Sequence, residues 1–227
     1  MMSTDGARPR RGRPRLVDRD KIIQAARLRD PATLTMQALA EDIGVDRKTL
    51  HYHVESRATL MRMVAADAFR DAVSSHHFIA ESDWRKAIHA FAYITRDAVI
   101  AAGAWASYVD FETDEDLEAV RPAEAATVAL VNAGLADVDA GRIVGMIAEL
   151  AFASARIRSD TAVSGTPPQE QVLERALDRA PDGQFALTRR LLGDKSVAAS
   201  GDGHFEFQIQ LVALGVEKLL EAAASAT

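Results

Sequence analysis

The sequence predicts an all-α protein with a small N-terminal head of short helices and a larger helical domain behind it. Three observations predict this. Aromatic residues make up 6% of the 227 and prolines number 7, while Ala, Leu, Val, Ile, Glu and Arg fill long stretches, a composition that favours helices. Apolar residues recur on helical stripes. The stretch LTMQALAEDIGVDRKTLHYHVESRATL, residues 34–60, sets two short helix patterns around a single Gly-Val. Cysteine is absent, which excludes disulfides, thiolate metal sites and thiol chemistry. No apolar run approaches the ~18–20 residues of a membrane span. The opening MMSTDGARPRRGRPRL is charged with no apolar stretch behind it, unlike a signal peptide. A soluble cytoplasmic protein, with no membrane partner, is expected.

Charge is segregated. Residues 1–60 carry 12 Lys and Arg against 8 Asp and Glu, a net of +4 in a chain whose total is −6. Five arginines and one acid lie in the first 15 residues. An acidic body with a basic end points to polyanion contact through that end alone; a basic but merely solvated tail is the plainer alternative.

Residues 1–17 show no apolar periodicity and read as a flexible basic arm. Asp18 offers an N-cap to a first helix whose stripe is Ile22, Ile23, Ala26 and Leu28, ended by Asp30-Pro31. Thr35 caps a second, with Leu34 and Leu39 at the spacing of a hydrophobic staple. Gly44 supplies the left-handed stop. Val45, Asp46 and Leu50 repeat staple and cap for a third helix, and Ser56 caps a fourth. Two staples around one glycine define a tight corner if Ile22, Leu39, Ala40, Ile43, Val45, Leu50 and Val54 share a small core.

The third helix leaves Arg47, Lys48, Thr49, His51, Tyr52 and His53 outside, with only Leu50 and Val54 to anchor it. No acid lies between Arg47 and Val54. Cations, a hydroxyl, a phenol and imidazoles hydrogen-bond phosphates and base edges in a major groove. The corner therefore reads as a helix-turn-helix with a recognition helix.

These residues, RGRPRLVDRDKIIQAARL followed by LTMQALAEDIGVDRKTLHYHVESRATLMRMVA, resemble the N-terminal domain of the TetR family of transcriptional regulators over roughly residues 11–68. The C-terminal FEFQIQLVALGVEKLL resembles the last helix of many members. The resemblance implies DNA contacts from Lys48, Thr49, His51, Tyr52 and His53, and backbone contacts from Gln37 and Arg57. The connection RDPATLT is short and lacks the glycine usual there. In the arm, RGRPR matches the core of an AT-hook, whose arginines, here Arg13 and Arg15, enter a narrow minor groove.

The expected organisation is an arm, 1–17; a helix-turn-helix domain, 18–72; and a helical effector-binding and dimerisation domain, 73–227. In the last, Asp83 opens a helix with Ile88, Phe91, Ala92, Thr95, Ala98, Val99 and Ala102 inward. Asp137 or Asp139 caps a long helix to about Arg158. Residues 159–183 read as a loop around one short helix, 194–203 as another loop, and the last helix begins near His204. The long helix carries Gly145, Ala148, Phe152 and Ala155 on a small-residue stripe. The last helix has one stripe with Val212, Val216 and Leu219 and another with Phe207, Leu211 and Leu214. A helix apolar on two faces must bury both, either in a homodimer or at the centre of a monomer. The dimer is the expectation, with Gly145, Ala148, Phe152, Ala155, Val212, Val216 and Leu219 at its interface.

No enzyme is expected, and no cofactor or metal. His51 and His53 lie about 200° apart around their helix and cannot chelate one ion. GDGHFE is no dinucleotide loop and DVDAG fails the calcium-loop pattern. The reading is a ligand-responsive repressor released from a palindromic double-stranded operator by a small molecule. The aromatic residues Tyr93, Trp105, Tyr108, Phe111 and Phe152 are candidates to line its pocket. A ligand-independent architectural DNA binder, or a small helical enzyme with a remnant head, are the alternatives.

Overall fold

The structure, a computed structural model, describes residues 18–75, 82–109, 114–181, 183–192, 194 and 201–225. Arg13, Arg15 and Phe111 lie outside the described residues. Among the described residues, the ordered elements are ten α-helices and two 3-10 segments, without strands. The chain divides into two compact units, 1–60 and 61–227. That division falls early in the fourth helix, Arg57–Ser75, whereas the expected boundary at residue 72 lies near its end.

Each short helix of the first unit, and the longer fourth helix that begins there, is opened by a side chain acting as a cap. Asp18 accepts the Lys21 amide at 2.9 Å and starts α1, Arg19–Arg27. Thr35 accepts the Ala38 amide at 3.1 Å ahead of α2, Met36–Ile43. Asp46 accepts the Thr49 amide at 2.7 Å ahead of α3, Arg47–His53. Ser56 accepts the Thr59 amide at 3.1 Å ahead of α4, Arg57–Ser75. Each cap satisfies an orphan amide, worth about 1 kcal/mol.

Gly44 stops α2 at φ 71°, and the Val45 amide bonds back to the Ala40 carbonyl at 3.0 Å. This is the Schellman closure. A Cβ on Gly44 would meet nothing within 4 Å, so the position requires glycine for its dihedral and not for space. Ile22, Leu34, Leu39, Ala40, Leu50 and Val54 are all buried. Ile43 and Val45 are only half-buried, at the margin of the expected core. Leu28 does not join the α1 stripe: it follows the helix as its C-cap and is 90% exposed. Two residues past Ala26 is about 200° around the axis, which turns it away from Ile22 and Ala26.

In the second unit α5, Trp84–Ala102, is capped by Asp83. It packs with α6, Arg121–Asn132, α7, Asp137–Ser164, and α10, Asp202–Ser225, around Ile88, Leu130, Ile147, Phe205 and Ile209. α8, Pro168–Leu177, and α9, Ala186–Leu192, follow α7. Two expectations for α7 change. Its N-cap is Ala136, with no side-chain cap, while Asp137 and Asp139 sit in the first turn, where they favour the helix dipole. It also runs past Arg158 to Ser164, because Gly165 at φ 79° is the stop.

α10 is pinned at its start. The buried Arg96 of α5 reaches Asp202 at 3.2 Å, and Arg158 of α7 reaches the same carboxylate at 2.6 Å. The Arg96 guanidinium also lies over the rings of Tyr93 and Phe205, 4.8 and 4.7 Å from their centroids, and those two rings meet each other edge-on at 5.2 Å. Among the described residues no helix is long and apolar enough to cross a membrane.

Candidate functional site

α3 is anchored by one fully buried side chain, Leu50. At about 100° per residue, Lys48 and Tyr52 project some 160° and 200° from Leu50, at the centre of the outward face. Thr49 and His51 stand on its flanks, and Arg47 and His53 nearest its base. Arg47, Lys48, His51, Tyr52 and His53 are exposed, Tyr52 by 86%. The His53 ring meets Tyr52 edge-on with centroids 5.4 Å apart. With its side chains a helix is ~10–12 Å across, which matches the ~12 Å width of a major groove.

Three of the expected contact residues are already engaged. Thr49 is half-buried, and its hydroxyl donates to Asp46 Oδ2 at 3.0 Å, so it serves the cap of its own helix. That bond and, before it, the Thr49 amide hold the Asp46 carboxyl below the usual carboxylate range. Gln37 donates to Glu41 Oε1 at 2.7 Å, one turn along α2. Arg57 donates from Nε to the Leu34 carbonyl at 2.8 Å and from Nη2 to the Pro31 carbonyl at 2.7 Å. Its guanidinium therefore closes the α1–α2 connection. Asp30 Oδ1 accepts the Ala32 amide there at 2.8 Å, an Asx turn that stands where a glycine would otherwise serve. Arg29 and Asp42 pair across α1 and α2. The clasping role of Arg57 has no local sequence signal, since its partners are backbone carbonyls more than twenty residues away.

The second unit holds a cavity of about 740 Å³ between the α5 C-terminus with the following 3-10 turn, Gly103–Tyr108, and one face of α7. Of the expected aromatic lining, Phe152 is present. Tyr93 is elsewhere: its hydroxyl donates to Glu206 Oε2 at 2.8 Å and its ring stacks on His89 at 4.5 Å. Burial, and then Glu206, push the Tyr93 phenol up to about 12. Trp105 is buried, and Tyr108 is 36% exposed in the same turn; neither lines the cavity. The lining includes Val99, Ala104 and Val163 with Ser107, Glu149, Arg156 and Asp160.

The face assigned to a partner chain requires correction on α10. Val212 and Val216 are buried in the unit's own core, 8% and 1% exposed, beside Phe205 and Ile209. Ala155 on α7 is likewise buried, packed with Phe69 and Val99. The exposed apolar stripe on α10 is Phe207, Leu211 and Leu214, each more than half exposed, while Leu219, on the Val212 side, is 46% exposed. On α7, Gly145, Met146 and Phe152 are exposed and Ala148 is half-buried. The two stripes of α10 exchange roles because the Arg96–Asp202 contact and Phe205 set its rotation.

No family model matches the chain, and no curated protein matches it. Among solved structures it is similar to the TetR family protein ActR of Streptomyces coelicolor in complex with actinorhodin, at 17% identity and a TM-score of 0.69, covering 89% of this chain and 98% of that one. It is similar to a possible TetR family transcriptional regulator from Streptomyces coelicolor, at 20% identity and 0.64, covering 92% and 100%. A third is BioQ with its double-stranded DNA operator, at 18% identity and 0.58, covering 88% and 98%. At such identities the likeness carries the fold.

Proposed function

We propose that this chain, which has the fold of the TetR-family transcriptional regulators, is a ligand-responsive DNA-binding regulator. It acts in the cytoplasm as a homodimeric repressor, binds a palindromic double-stranded operator, and carries out no catalysis. The observation that carries the reading is the outward face of α3: Lys48 and Tyr52 at its centre, His51, Arg47 and His53 around them, and no acid from Arg47 to Val54. Lys48 and Tyr52 read base edges, while the flanking cations and imidazoles meet phosphates. One such helix reads few base pairs, so a second copy is needed for a specific site.

The exposed Phe207, Leu211 and Leu214 on α10, with Met146 on α7, supply a partner surface. Paired across a two-fold axis they form a four-helix interface. The cavity beside α7 receives the effector. To release DNA, the effector must bind the DNA-free form more tightly, and a hundredfold preference corresponds to ~2.7 kcal/mol. That ActR is described with actinorhodin and BioQ with an operator supports the two halves of the reading.

The test is selection from a random double-stranded DNA pool. An enriched inverted repeat, lost with Tyr52→Ala, is the expected result. Recovery of no sequence above background would leave only non-specific binding and defeat the proposal.

A further inference from the structure

The two arginines of α7 other than Arg156 are paired, Arg142 with Asp139 and Arg158 with Asp202. Glu149, Arg156 and Asp160 all line the cavity, all on one helix face, and their side chains have no hydrogen bond or ion pair among the described residues. Arg156 precedes Asp160 by four residues, the order that favours a helix pair less. The rise of the helix sets Glu149 about 10 Å from Arg156 and Arg156 about 6 Å from Asp160 along the axis. Between and behind them the walls are apolar, with Val99, Ala104 and Phe152. The volume, about 740 Å³, lies in the range of sites for drug-sized molecules. Three charges of both signs, without a partner among the described residues, thus surround an apolar space of ligand size.

We propose that this cavity takes an amphipathic organic cation that also bears an anionic or strongly accepting group. Its apolar body lies against Val99 and Phe152, its cationic end faces Glu149 or Asp160, and its acceptor faces Arg156. With two carboxylates to one guanidinium, a purely anionic molecule is rejected. The inference rests on the reading of this unit as the effector domain, and it adds the chemistry of the effector.

Three xanthene dyes of related shape test it by fluorescence anisotropy with the full-length protein. Rhodamine B is a zwitterion, its ethyl ester a cation, and fluorescein an anion. Rhodamine B and the ester are expected to bind and fluorescein to fail. Glu149→Gln and Asp160→Asn, at exposed positions that tolerate substitution, should together weaken both rhodamines about tenfold. Arg156→Gln should weaken rhodamine B and tighten the ester, a reversal that general loss of structure cannot produce. Binding of fluorescein as tight as the rhodamines, no binding of any dye, or indifference to all three substitutions would overturn the inference. Operator affinity measured with and without rhodamine B separates the two readings. Charge-dependent binding that leaves DNA affinity unchanged keeps the site chemistry and sinks the switch; selection of an operator with no dye binding does the reverse.

Discussion

The head and the body bury their helices under different constraints. In the head, α2 and α3 are each short and each has one apolar side; once Leu39 and Leu50 turn inward, everything opposite is exposed by default. In the body, α7 and α10 are long and apolar on two sides, and burial on one leaves a second apolar stripe in water. Thus Lys48 and Tyr52 are outward because nothing else on α3 can be inward. Leu211 is outward only because neighbouring groups, the Arg96–Asp202 pair and Phe205, turned Val212 in. The lesson is that a helix with a single apolar face declares its functional surface, whereas one with two needs tertiary contacts to choose.

Adjacent residues on α10 give the strongest test of that contrast. Leu211→Glu with Leu214→Glu should leave a folded chain that sediments as a monomer, and operator affinity should fall about a hundredfold or more as two-headed binding is lost. Val212→Glu, one position away, should instead bury an unpaired carboxylate and cost about 3–5 kcal/mol, read as loss of the cooperative melt. If the Leu211/Leu214 double variant stays dimeric by analytical ultracentrifugation, the partner surface lies elsewhere.

In the head the expected effects are smaller and separate by residue. Lys48→Ala and Tyr52→Ala should each cost ~1–3 kcal/mol at the specific site. The denaturation midpoint should barely move, since neither side chain is buried. Arg57 should behave in the opposite way. Arg57→Met removes the donors held by the Leu34 and Pro31 carbonyls, and charged hydrogen bonds of this kind are worth about 1.5–3 kcal/mol. A lower urea midpoint with an unchanged salt slope of DNA binding is expected. A slope reduced by about one, with stability intact, would mark Arg57 as a phosphate contact instead.

What could be read in advance follows the same division. Thr35, Gly44, Asp46 and Ser56 were legible as caps and stop, because a cap is a contact within three residues and needs no tertiary information. The α5 stripe from Ile88 to Ala102 was legible for a related reason: it has one apolar face. The rotation of α10 was not, since both its stripes satisfy the same pattern. The end of α7 was obscured by Ser159, Thr161 and Ser164, which look like loop residues. Their hydroxyls donate back to the carbonyls of Ala155, Ile157 and Asp160 at 3.0, 2.7 and 2.8 Å and so remain within the helix. Aromatic content likewise could not separate Phe152, which lines the cavity, from Tyr93, committed to Glu206, or from buried Trp105.

The finest test concerns the cap that starts the recognition helix. The Thr49 amide, and then its hydroxyl, depress the Asp46 pKa from its ordinary 3.8. A carboxyl depressed on folding contributes stability that is present above its unfolded pKa and is lost as pH falls through the folded value. Asp46→Asn keeps an oxygen that can accept the Thr49 amide and removes the titration. The variant isolates this group from Asp18 and Asp42, whose carboxyls are also lowered, by the Lys21 amide and by Arg29 respectively. Hydrogen exchange at the Thr49 amide, corrected for intrinsic rates, should show wild type better protected than Asp46→Asn above the ordinary aspartate range. The difference should close on acidification through that range and below. The effect is small, since the carboxyl is exposed, and it is local to α3. A difference that stays constant from neutral to acid pH would mean that Asp46 caps by geometry alone, with its charge contributing nothing to holding Lys48 and Tyr52 in place.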